Sequence, residues 1–143
     1  MNYLIPPLRS LAAFAAALAL FAPAAVRAQT VPSDMLGTFN ASSAGTISSV
    51  TIASSGGGYT ITVKAPCTPT PCNWGTRPLI VYAPSAATSL AKVGSAVFTQ
   101  GFVRRTVIVM LQDATVPTLR VQVLSQFTPS GGRSNYTTFQ TLQ

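Results

Sequence analysis

The 143-residue chain has no histidine and no glutamate, and its only side-chain acids are Asp34 and Asp113. Near neutral pH the groups that ordinarily move protons in catalysis are imidazoles and carboxylates, so this scarcity removes most acid–base chemistry. Without His, no hydroxyl can be activated by the usual nucleophile and base pairing. Glycoside hydrolysis needs two carboxyl groups across one bond, and Asp34 lies near the N-terminus while Asp113 sits in a Gln-Asp-Ala-Thr turn. A Ser–Lys dyad through Lys64 or Lys92 is the remaining route, and neither lysine belongs to a recognisable motif. Two cysteines and no His leave too few nitrogen and sulfur ligands for zinc. The expectation is a protein that is not an enzyme and carries no metal and no cofactor.

The N-terminus holds one cation, Arg9, then an uncharged apolar run from Leu11 to Val26, then Val26-Arg27-Ala28 with small residues where a signal peptidase reads. Residues 1–28 are read as a cleaved signal peptide, with Gln29 as the mature N-terminus and a periplasmic or secreted destination. The 16-residue run is shorter than the roughly 20 residues a membrane-crossing helix needs, and Pro23 interrupts it, so no transmembrane span is expected in the mature chain. No Cys near the cleavage point is available for a lipid anchor. Removing 28 residues from 143 leaves 115, the size of one domain with a genuine core. Residues 29–36 read as a flexible N-terminal tail and 37–143 as the domain.

The mature chain carries seven cations against two Asp, a formal charge of +5 dispersed along the sequence. Arg104 and Arg105 adjoin Phe102, but neighbours on a strand point to opposite faces, so no basic aromatic patch for nucleic acid is expected. Asn40 and Asn135 each begin a glycosylation sequon, which chance explains in so Ser- and Thr-rich a chain.

Thr, Ser, Val, Gly and eight mature-chain prolines suit strands and turns. Strands are predicted over 37–41, 46–53, 59–65, 78–83, 96–102, 104–112, 118–127 and 134–142. Tyr59, Ile61 and Val63 alternate with Thr60, Thr62 and Lys64, and Leu119, Val121 and Val123 alternate with Arg120 and Gln122. Val107 to Leu111 is apolar throughout, as in a strand covered on both faces or one whose outer face meets a partner. Gly56-Gly57-Gly58 and the 129–133 stretch are read as hairpin turns, and 85–93 as one brief helix. With no crossover helix, an antiparallel sheet must dispose of its edges. The leading expectation is an all-β barrel of about eight strands, with a β-sandwich as the alternative.

One segment looks individually specified: Cys67-Thr-Pro-Thr-Pro-Cys72-Asn-Trp-Gly75. Two thiols with four residues between them in an exported protein are expected to form a disulfide, worth about 2 kcal/mol for so small a ring. Trp74, the only tryptophan, then has two readings: a ring that stacks on a ligand, or a lid packed on the core.

The string C-x-P-x-x-C-x-W-G, matched by Cys67, Pro69, Cys72, Trp74 and Gly75, resembles a family of poorly characterised secreted bacterial β domains. In that family an early G-x-W and a late S-G-R-x-x-Y flank the loop. Here Gly37-Thr38-Phe39 carries Phe for Trp, and Gly132-Arg133-Ser134-Asn135-Tyr136 follows Gly131 rather than Ser. Asn73 stands where the family usually has an acid. The resemblance implies a fold rather than an activity.

The leading functional expectation is therefore an exported, non-enzymatic protein that binds a small apolar or saccharide ligand at a barrel mouth formed by Trp74, Asn73, Arg77, Tyr82, Arg133 and Tyr136. The alternative is an envelope interaction module, a protease inhibitor or adhesive subunit, that uses the Cys67–Trp74 loop as a preorganised protrusion.

Overall fold

The computed structural model describes residues 28–113, 116–128 and 132–143, without the side chain of Asp113. The predicted signal peptide, apart from Ala28, and most of the glycine turn at 129–133 lie outside the described residues.

Nine strands form two antiparallel sheets. The first contains β1 (Gly37–Asn40), β2 (Ser49–Ser55), β3 (Gly58–Ala65) and β4 (Cys72–Pro78), in that order. The second contains β5 (Ile80–Tyr82), β6 (Val93–Gln100), β7 (Val103–Asp113), β8 (Thr118–Phe127) and β9 (Tyr136–Leu142), again in sequence order. Each strand pairs with its chain neighbour, as short connections dictate. The β2–β3 hairpin closes on Gly56 and Gly57 at φ of 56° and 81°, the left-handed values that a two-residue hairpin turn of this hand requires and that glycine adopts freely.

The sheets do not close into the expected barrel; the sandwich alternative fits. At one margin the chain leaves the first sheet at Pro78, buries Leu79 and joins the second sheet as β5, only three residues long. At the other margin β1 and β9 touch at an Ala41–Leu142 bridge, with reciprocal Asn40 and Gln143 backbone bonds of 2.6 and 3.0 Å. Strands of three and four residues are too short to carry continuous pairing around a ring. As sheet edges, β1 and β5 are also too short to give other chains much to pair with.

The core follows the period of two. Val50, Ile52, Ile61, Val63 and Trp74 face Phe98, Val107, Val109, Leu119, Val121 and Val123 across the gap, all buried. Within the apolar β7 run, Val107, Val109 and Leu111 point inward, while Met110 is 42% exposed and Ile108 half-buried. Among the described residues no further layer packs over this outer face, so the run is not a strand covered on both sides there.

Three local expectations are revised. Cys72 to Pro78, read mostly as loop, is a strand paired with β3; a bulge at Val63/Lys64 and Gly75 at φ 95° absorb the register change. The predicted helix over 85–93 is absent. Pro84 precedes a turn closed by Thr88 N–H to Ser85 O, and Leu90 forms a parallel bridge with Thr30. Ala91 is fully buried there, so sheet packing overrides the helical propensity of its neighbours. The segment read as a tail is where that bridge begins: Met35 is fully buried, and the Val31 N–H donates to the Tyr59 hydroxyl at 3.1 Å.

Candidate functional site

Antiparallel hairpins send alternate connections to opposite ends of the sandwich. The 41–48 connection, the disulfide loop, the β6–β7 hairpin, the exit of β8 and the entry of β9 share one end. The Cys67–Cys72 bond is formed, and residues 66–73 are exposed.

At this end the inner face of the second sheet changes character. The register aligns Phe98, Arg105, Ser125 and Tyr136 in one row across β6, β7, β8 and β9. Arg105 shares the strand parity of Val103, Val107 and Val109, so its side chain turns inward. From the facing sheet Trp74, 7% exposed, meets Phe98 edge-on at 6.1 Å, and the Arg105 guanidinium lies 4.6 Å from the Trp74 ring centroid. Arg105 Nη1 donates to Gln100 Oε1 at 2.7 Å, while its Nε is enclosed without a partner. Among the described residues no carboxylate pairs with this guanidinium. A cleft of about 470 Å³ opens here, lined by Thr46, Cys67, Cys72, Trp74, Gln100, Arg105 and Tyr136 among others.

Beside the cleft runs a row of rings. Phe102 stacks on Phe127 at 6.1 Å, and Phe127 meets Tyr136 at 5.8 Å. Phe102 is 49% exposed and Tyr136 46%, with half-buried Phe127 between them, so the row is open to solvent at both ends. The Arg133 guanidinium lies 5.9 Å from the Phe102 ring and 5.8 Å from that of Phe127.

Of the residues predicted for the site, Trp74 and Tyr136 line the cleft and Arg133 flanks it. Asn73 is at the same end but exposed on the outer side of β4, where its Oδ1 accepts the Gly75 N–H at 2.8 Å and shapes the strand entry. Arg77 is exposed on β4 opposite Ile61, and it does not line the cleft. Tyr82 lies at the opposite end, where its hydroxyl pairs with Ser95 Oγ at 3.0 Å beside a separate apolar groove of about 390 Å³. Sequence reasoning weighed Arg105 and Phe102 only as a nucleic-acid patch, and it missed Gln100 and Phe127. The available signal was parity: Arg105 is a charge on the buried register of β7. For Trp74 the core reading holds, with part of the ring reaching the cleft.

Among the described residues no three His, Cys, Asp or Glu side chains gather as a metal site, and no helix is long and apolar enough to cross a membrane. No protein family, curated protein or solved structure matches the chain.

Proposed function

We propose that this chain is an exported, non-enzymatic binding protein that holds a small saccharide at the disulfide-loop end of the sandwich. The observation that carries this reading is the meeting of two surfaces: a ring row with Phe102 and Tyr136 exposed around half-buried Phe127, and a cleft furnished with Arg105 and Gln100. Sugars present apolar C–H faces that stack on rings, and hydroxyls that need fixed polar partners. A purely apolar ligand suits the cleft less, because it strips water from Arg105 and Gln100 without replacing those hydrogen bonds. Export is supported by the signal-like N-terminus and the Cys67–Cys72 disulfide. The scarcity of proton-moving side chains supports a role without catalysis.

The alternative, an envelope interaction module acting through the Cys67–Trp74 loop, draws support from the exposed, disulfide-closed ring. Its weakness is that Trp74 turns inward, leaving the loop without its aromatic anchor.

The test is a glycan array probed with the mature chain, followed by Trp74 fluorescence titration with any sugar that binds. Saturable binding that weakens at least about ten-fold in Tyr136→Ala, the scale for losing one aromatic contact, supports the site. Absence of binding to every glycan, with the protein folded, ends the saccharide reading.

A further inference from the structure

We infer that the cleft selects saccharides that carry a carboxylate, with Arg105 as the specificity-determining residue. This rests on the saccharide reading above and names the class within it.

Arg105 is a charge placed on a buried register. Its neighbours of the same parity, Val103 and Val107, are core residues, and its ring partner Trp74 is buried. A guanidinium partly withdrawn from water is held at low cost only where a counter-charge or a full set of acceptors meets it. Its set of partners is short: Gln100 Oε1 accepts one N–H, the Trp74 face offers its π electrons, and Nε meets no acceptor. The chain itself has little to add. Asp34 is engaged with Ser33 Oγ at 3.3 Å, and Asp113 lies eight residues along the same strand, roughly 27 Å away at strand rise.

The side chain is nevertheless built in place. Gln100 and Trp74 hold the guanidinium from two directions, so its orientation is set before a ligand arrives. With Nε enclosed, the Nη groups are the donors that face the cleft, and an end-on carboxylate accepts two parallel N–H bonds from them. Tyr136 and Thr46 line the same cleft, where they meet the ring hydroxyls of a sugar so anchored. A neutral sugar offers Arg105 only hydroxyl acceptors and leaves its charge unmatched.

The test measures binding of glucuronate, glucose and the methyl ester of glucuronate to the mature chain, by calorimetry and Trp74 fluorescence. Glucuronate is expected to bind about ten- to hundred-fold more tightly than glucose, the range for a charged hydrogen bond, and to weaken at high salt. The ester, which removes the charge without touching the protein, is expected to bind like glucose. Arg105→Gln is expected to bring the glucuronate-to-glucose ratio close to one. Arg105→Lys, which keeps the charge but not the planar fork, is expected to retain part of the preference. Because the ester comparison uses the wild-type chain, it stands even where a variant fails to fold.

Equal binding of glucuronate, its ester and glucose overturns the carboxylate assignment and leaves the saccharide reading intact. Binding of a peptide carboxylate through Arg105, with no sugar bound, overturns both.

Discussion

Trp74→Ala isolates what joins the two sheets at the disulfide-loop end. The ring is 7% exposed, edge-on to Phe98 at 6.1 Å and 4.6 Å from the Arg105 guanidinium. Truncating a buried Trp costs about 3–5 kcal/mol, a figure that already contains the lost ring contacts. Of this, the pair with Phe98 accounts for about 0.5–1.5 kcal/mol and the cation–π contact for about 1 kcal/mol. Small domains have about 5–15 kcal/mol in total, so the variant is expected to fold but to lose a large share of its stability. With a urea slope of about 2 kcal/mol/M, the midpoint falls by roughly 2 M. Far-UV circular dichroism is the assay, since the mutation removes the only tryptophan signal. A double-mutant cycle with Arg105→Gln should return a coupling of about 1 kcal/mol. A loss below about 1 kcal/mol for Trp74→Ala would refute the packing described for this ring, and zero coupling would refute the Arg105 contact.

Gln140→Ala is expected to cost about 1–3 kcal/mol in the same urea titration, because its side chain satisfies both the N–H and the C=O of buried Ile47, at 3.1 and 2.9 Å. Gly94→Ala places a Cβ 2.8 Å from Cδ1 of buried Leu79, and thermal melts should show a loss of about 1–3 kcal/mol. Gly58→Ala, whose nearest new neighbour is Ser55 O at 3.8 Å, serves as the control and should sit within about 0.5 kcal/mol of wild type. Replacing Cys67 and Cys72 together by Ser should cost about 2 kcal/mol, and adding reductant to the wild type should reproduce the loss. A double variant that melts like wild type would mean that the ring contributes nothing to stability.

The fold class was readable because it rests on local rules. Alternation in 59–64 and 119–123 names the inward residues without any knowledge of the partner sheet, and each of those inward residues from Ile61 onward is buried. The Gly56-Gly57 turn and the disulfide were likewise visible as residue types whose chemistry has few other uses. The strand at Cys72–Pro78 was not, since Asn, Gly, Thr and two flanking prolines give it no strand signature; pairing with β3 makes it one. The 85–93 segment went the other way, where burial of Ala91 and the bridge to Thr30 outweighed good helix formers.

Barrel against sandwich was beyond the sequence, because both have the same strands and differ only in whether three- and four-residue edges keep pairing. The candidate site divided along the same line. Trp74, Tyr136 and Arg133 stood out by residue type, yet Tyr82 belongs to the opposite end, and Arg105 with Gln100 emerged only from register and from the facing sheet. The sequence alone determined which residues alternate, turn and cross-link, since those depend on a residue and its near neighbours. Which side chains meet across the gap was decided by the tertiary structure, because strand register and sheet closure are collective properties of the whole chain.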